Sequence, residues 1–310
     1  MILNIIGADK VISKCFGPVL QYVKQLNYSS VKTPSLREIR KNLKFEDKVA
    51  VVTGGGSGIG YEIAKQFLKG GMTCLTIVDT NKPKSLENIE KLTNEFGEDN
   101  VLYVEADVAD AEQMDYAFRS TVLHYHAIDL IVNNAGVMND VQWETELRTN
   151  LHGCVIGTLL GMQYMSKSSS GKGGTIINIG SIMSMIPSCG FPIYTMTQFG
   201  IAGFSKALGS SYLYDRTGVK VFGYCPGLTD TRLMKDAPNN SINQNFAAEF
   251  QEEIDGCVIQ SPEMVAEGLI KILENAKPGS VWIAENNTDP YEINFPVAEG
   301  VKQKSRADAR

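Results

Sequence analysis

From residue 47 onward, short apolar runs alternate with longer stretches whose apolar positions recur at helical spacing. The runs are KVAVVT (48–53), TCLTIVD (73–79), VLYVEAD (101–107), IDLIVNN (128–134), GTIINIG (174–180), VKVFGY (219–224) and VWIA (281–284). They are rich in Val and Ile and mostly lack every-second-residue alternation, which predicts strands covered on both faces, as in a parallel sheet. The intervals leave room for crossover helices. The pattern predicts an α/β fold: a single doubly wound Rossmann domain over 46–297, with a parallel sheet of about seven strands flanked by helices.

The flanks read differently. In 1–45, Ile12, Phe16, Val19, Leu20 and Val23 share one helical face, and Pro18 interrupts a continuous helix. This N-terminal extension reads as a packing arm, a poorly ordered tail, a mitochondrial-type presequence or a membrane-surface helix. Residues 298–310 read as a polar C-terminal tail. SPEMVAEGLIKILENA (261–276) predicts a scaffold helix, with Ser261 as cap and Pro262 in first position. SKSSSGKGG (166–174) reads as a surface loop.

Composition narrows the function classes. The net charge of −6 argues against a nucleic-acid partner, although 1–44 hold eight Lys/Arg against two Asp/Glu. Six scattered cysteines without a CxxC predict no disulfide framework and a reducing, cytoplasmic compartment. The three histidines belong to no metal-ligand motif. With no run of 18 apolar residues, no transmembrane segment is expected.

Candidate chemistry begins at TGGGSGIG (53–60), which follows the first strand and opens a helical pattern. Glycine lets the backbone turn sharply and approach a pyrophosphate, while a helix N-terminus offers N–H groups to phosphate oxygens. Asp79 ends the second strand, 19 residues after Gly60. A carboxylate there accepts bonds from both adenosine-ribose hydroxyls and repels a 2′-phosphate, so the cofactor read is NAD rather than NADP.

These residues, with NNAG at 133–136, resemble the short-chain dehydrogenase/reductase family over about 46–290. The GGTIINIGS and VFGYCPGLTDTRL segments are most similar to its insect alcohol dehydrogenase-like and 15-hydroxyprostaglandin dehydrogenase-like members. The resemblance implies a cofactor site of Gly54, Ser57, Gly58, Ile59, Gly60 and Asp79. It adds Asp107 and Val108 at the adenine, Asn134, Ala135 and Gly136 beside the cofactor, and Pro226, Gly227, Thr229 and Thr231 at the nicotinamide. It implies a catalytic set in which Tyr194 exchanges a proton with the substrate oxygen, Ser181 hydrogen-bonds that oxygen and Asn150 holds a water. The spacing agrees: Asn150 lies 31 residues before Ser181, which lies 13 before Tyr194.

One position departs from the family pattern. YTMTQ (194–198) stands where YxxxK is expected, so Gln198 occupies the lysine's place. Its amide can bind the nicotinamide ribose but cannot favour tyrosinate electrostatically. At a reference Tyr pKa of about 10, only on the order of one molecule in a thousand is ionised at pH 7. Alcohol oxidation is therefore expected to fall ~10–1000-fold, and carbonyl reduction, which uses neutral Tyr194 as acid, to suffer less.

Met183, Met185, Phe191 and Met196 make the neighbourhood apolar, which suggests a small lipophilic alcohol or ketone as substrate, or a packed core or subunit interface. By the same resemblance, 182–193 and 228–260 form pocket walls and lid, and the assembly is a homodimer or homotetramer. Two functions stay open. One is an NAD-dependent oxidoreductase acting on a lipophilic secondary alcohol. The other is a catalytically impaired homologue acting as a binding or storage protein.

Overall fold

The computed structural model describes residues 45–80 and 83–295. Apart from Phe45, the proposed extension lies outside the described residues, as does the 298–310 tail. Phe45 is buried and meets Phe67 edge-on, at a centroid separation of 5.1 Å.

All seven expected strands form: β1 (Val49–Thr53), β2 (Cys74–Asp79), β3 (Val101–Glu105), β4 (Leu130–Asn133), β5 (Gly174–Ile179), β6 (Val219–Pro226) and β7 (Val281–Ala284). They pair in parallel in the order β3-β2-β1-β4-β5-β6-β7. An eighth, β8 (Tyr291–Glu292), adds antiparallel to β7. It was not expected because two exposed residues carry no hydrophobic pattern.

The helices are α1 (Gly58–Lys69), α2 (Pro83–Phe96), α3 (Ala111–Tyr125), α4 (Trp143–Leu147), α5 (Gly153–Met165), α6 (Pro192–Leu208), α7 (Ser211–Thr217), α8 (Arg232–Asn240), α9 (Gln244–Ile254) and α10 (Pro262–Ile272). Ser261 caps α10 through the Met264 N–H, and Pro262 is its first residue, as read from the sequence. One apolar layer joins Ile63, Phe67 and Leu269 to Val52 and Phe222. A second joins Met114, Phe118 and Ile156 to Val51, Ile131 and Ile176. Two buried layers explain why the strands lack alternation.

The strand order reverses between β1 and β4, and the crevice at such a switch point is where open α/β sheets hold ligands. A buried polar network ties that region together. Asn133 Nδ2 donates to Asn178 Oδ1 (2.8 Å) and Thr158 Oγ1 (3.0 Å), and Asn178 Nδ2 donates to Ser205 Oγ (3.0 Å). These bonds join β4 and β5 to α5 and α6 inside the core, where leaving one unmade is costly.

Candidate active site

The loop after β1 shows why glycine recurs there. Gly54 and Gly58 adopt φ of 61° and 55°, a left-handed conformation that glycine takes without strain. A Cβ on Gly56 would collide with Ser85 and come within 2.8 Å of Asp79 Oδ2. One on Gly60 would collide with the Gly54 carbonyl and the Asn134 amide. Asp79 Oδ2 accepts the Gly56 N–H at 2.8 Å, which fixes the loop against the end of β2. Ser57 caps α1 without a side-chain bond, so its hydroxyl leaves the first-turn N–H groups unfilled.

This loop opens onto a cavity of about 590 Å³. Its lining contains Gly54, Ser57, Gly58, Ile59, Asp79, Asp107, Val108, Asn134, Ala135, Gly136, Pro226, Gly227, Thr229 and Thr231. Asn150, Ser181, Tyr194 and Gln198 line the same cavity. Gly60 is the exception: it does not line the cavity but lets α1 pack closely on the β1 loop.

Each catalytic candidate is held by its own element. Ser181 follows β5, and its Oγ accepts the Met183 N–H at 3.2 Å. Tyr194 lies in the first turn of α6, buried beside Ser181. Burial pushes the Tyr194 phenol well above its ordinary pKa, and the neighbouring Glu146 carboxyl pushes it further.

Asn150 sits in a π-helical turn, Arg148–His152, between α4 and α5. Its Oδ1 accepts the Val137 N–H and its Nδ2 donates to the Val137 carbonyl, each at 2.8 Å. The same Nδ2 reaches Thr197 Oγ1 at 3.2 Å. The side chain therefore bridges the β4 loop to α6.

Gln198 is buried and donates from Nε2 to Thr197 Oγ1 at 3.0 Å. Lys206, two turns along α6, is exposed and lies over the Phe295 ring at 4.8 Å. It brings no charge to Tyr194.

The apolar expectations need correction. Met183 lines the cavity, but Met196 is exposed, Met185 packs against the Cys225 and Ile283 cluster, and Phe191 is core, edge-on to Phe250. The helical periodicity of α6 turns Met196 outward. The apolar wall is built instead from Met138, Met183, Leu228, Leu233, Met234 and Phe250.

Sequence reasoning missed several residues. Thr53 Oγ1 accepts the N–H groups of Asn134 (3.0 Å) and Ala135 (3.1 Å), joining β1 to the β4 loop. Gly56 and Thr197 stood inside motifs already singled out. Asp140 and Glu146 belong to no motif in the sequence, yet both are buried.

Among the described residues no group of three or more His, Cys, Asp or Glu side chains could hold a metal ion. No helix there is long and apolar enough to cross a membrane. The five described cysteines are free.

Residues 48–241 match the family model described as short chain dehydrogenase. Human 15-hydroxyprostaglandin dehydrogenase [NAD(+)] is 34% identical over 232 residues, covering 74% of this chain and 86% of the relative. Alcohol dehydrogenase 2 of Ceratitis capitata is 30% identical over 242 residues, covering 78% and 92%. A crystal structure of 3-ketoacyl-(acyl-carrier-protein) reductase from Brucella melitensis complexed with NADH superposes with a TM-score of 0.65 at 23% identity, covering 78% and 98%. Levodione reductase gives 0.64 at 22%, covering 74% and 91%, and these two likenesses bear on the fold. With more than half its length matched by that family model, and with relatives 30–34% identical over most of both chains, this chain belongs to the short-chain dehydrogenase family.

Proposed function

We propose that the chain is an NAD(H)-dependent oxidoreductase that interconverts a lipophilic secondary alcohol and its carbonyl. One observation carries this reading: Ser181 and Tyr194 line the same cavity as the glycine loop. The names of the relatives, which include an NAD(+) dehydrogenase and an alcohol dehydrogenase, support the same class of reaction.

The residues present fit a dinucleotide. Gly54 and Gly58, both left-handed and both lining the cavity, present bare backbone that suits a closely approaching pyrophosphate, and the N-terminus of α1 suits its charge. Asp79 would hold the adenosine ribose, Asp107 and Val108 the adenine, and the 226–231 segment the nicotinamide end. Thr229 donates to the Gly227 carbonyl at 2.8 Å, and Thr231 Oγ1 accepts the Met234 N–H at 3.4 Å, so both hydroxyls are oriented. When bound, NAD(H) supplies the hydride donor or acceptor.

The chain's own groups handle the oxygen and the proton. Ser181 Oγ holds the substrate oxygen while Tyr194 Oη gives it a proton in reduction or takes one in oxidation. Asn150, whose side-chain amide donates to Val137 and Thr197, would hold a water through an acceptor position those bonds leave over. Gln198 would bind the nicotinamide ribose. With burial opposing tyrosinate, neutral Tyr194 is the resident form, which suits carbonyl reduction. The apolar wall around Met183, Met234 and Phe250 excludes water and selects a lipophilic carbonyl. Homodimer or homotetramer assembly and a cytoplasmic location belong to this reading.

A second reading, a cofactor-binding protein with little turnover, is favoured by Gln198, which brings an amide where the family's pattern has a cation. NADH fluorescence titration, followed by assays on a panel of apolar ketones with the native chain and Gln198→Lys, separates the two. Native turnover supports the oxidoreductase. Turnover seen only with lysine supports the impaired homologue. Absence of NADH binding overturns both.

A further inference from the structure

We propose that Asp140 and Glu146 form a carboxyl pair sharing one proton, in which ionised Asp140 grips the start of α6 and so positions Tyr194, while protonated Glu146 supports Asp140.

The first N–H groups of a helix need partners from outside the helix. At α6 the N-cap Phe191 offers no side-chain acceptor. Asp140, more than fifty residues earlier, takes its place: Oδ2 accepts the Ile193 N–H at 2.8 Å and Oδ1 accepts the Tyr194 N–H at 3.0 Å. The residue that would move the proton therefore has its backbone fixed by a buried carboxylate on a separate element, the 3₁₀ turn Asp140–Gln142.

Glu146 is fully buried, and Asp140 is 2% exposed. Glu146 Oε2 accepts the Asn139 N–H at 3.1 Å, while Oε1 finds no donor among the described residues. The two carboxyls nevertheless stand within hydrogen-bond reach of one another. Two acceptors can face each other in the core only with a proton between them. Both Asp140 oxygens already accept N–H groups, so the proton belongs on Glu146, where it turns the orphaned Oε1 into a donor.

The surrounding elements bring no compensating cation. Glu144 on α4, and Arg148 and His152 in the π-turn, are exposed. On α6 the facing group is Tyr194 itself, and Lys206 is exposed. On α8, Arg232 pairs with Asp236 at the surface, and Lys235 pairs with Asp230 there. Burial and the Asp140 charge push the Glu146 carboxyl up to about 8, in accord with the geometry. Ionising it would set two buried negative charges side by side and loosen the grip on Ile193 and Tyr194.

The bearing on turnover rests on the proton-transfer role proposed for Tyr194, whereas the pair itself does not. The test therefore begins without substrate. Infrared spectra of the native chain with carboxyl-labelled Glu should show a protonated-carboxyl band at neutral pH that is absent from Glu146→Gln. Amide exchange of Ile193 and Tyr194 in the native chain, corrected for intrinsic base catalysis, should quicken about 10- to 100-fold between neutral pH and about pH 9.5, the loss of one charge-assisted hydrogen bond. Glu146→Gln should lack that step, and Asp140→Asn should exchange fast at both pH values. If the chain reduces a ketone, its kcat should fall over the same alkaline range, and Glu146→Gln should lack that fall. No buried-carboxyl band, or the same pH dependence of exchange in native chain and Glu146→Gln, overturns the proposal even if no substrate is found. Should Asp140→Asn fail to fold, the Glu146→Gln comparison alone decides it.

Discussion

The Gln198 side-chain amide donates to the hydroxyl of Thr197, its neighbour on α6, at 3.0 Å. That hydroxyl also receives Asn150 Nδ2 and donates to the Tyr194 carbonyl at 2.7 Å. A neutral network thus lies beneath Tyr194 where the family's motif carries a cation. Introducing the cation with Gln198→Lys is expected to ease formation of tyrosinate by about 1–3 pH units. At any one pH the overall equilibrium links the kcat/KM values of the two directions, so the effect has to be read in kcat. Oxidation kcat near neutral pH should rise ~10–1000-fold, with its alkaline rise moved to lower pH, and reduction kcat should change less. Equal kcat gains in both directions, with an unmoved pH profile, would count against the electrostatic account.

Gly56 tests the dinucleotide cradle. Its missing Cβ would collide with Ser85 and crowd the Asp79 carboxylate, whose bond to the Gly56 N–H fixes the loop. Gly56→Ala should weaken NADH binding by at least about tenfold and destabilise the fold by about 1–3 kcal/mol, the usual cost of overpacking. Fluorescence titration and urea denaturation check the two effects. Unchanged NADH affinity would show that the loop is not the phosphate cradle.

Asn150 tests how far a polar bridge holds the site together. Truncation to alanine leaves the Val137 N–H and carbonyl without this partner and removes the link to Thr197. A loss of about 2–4 kcal/mol is expected, from two or more buried groups left unpaired. Asn150→Asp keeps the acceptor for the Val137 N–H but sets a carboxylate against the Val137 carbonyl, so it should not rescue. Denaturant midpoints measure this, and a loss under about 0.5 kcal/mol, typical of surface substitutions, would show that the bridge contributes little.

Stability should also report on Glu146. Burial and the Asp140 charge push its folded-state carboxyl up to about 8, above the ordinary 4.5. A raised acid contributes stability that is fully present below the unfolded value and is lost as pH rises through the folded value. Between about 4.5 and about 8 the native chain should therefore lose stability relative to Glu146→Gln, which has no proton to lose, and the difference should level off above that window. Urea midpoints across the pH series give the comparison. Parallel curves for native chain and variant would show that Glu146 is not protonated in the fold.

By itself the sequence determined the sheet and singled out most of the residues that line the cavity beside it. Runs such as VAVVT and CLTIVD are apolar on both faces, a pattern that a parallel sheet between helix layers requires, and all seven became strands. The glycine loop and Asp79 were legible from what a strand-to-helix turn demands locally, and the Asn150, Ser181, Tyr194 and Gln198 positions from the family resemblance. What no spacing encoded was decided by tertiary packing. Helical phase sent Met196 to solvent, while the 228–250 segment supplies Met234 and Phe250 to the cavity. Asp140 and Glu146 look like surface charges in the chain and become a buried pair only because α6 docks its unpaired N–H groups onto the β4–α4 connection. A one-dimensional pattern reports which residues an element buries; which distant element supplies the partner for an orphaned N–H or carboxyl depends on three-dimensional proximity.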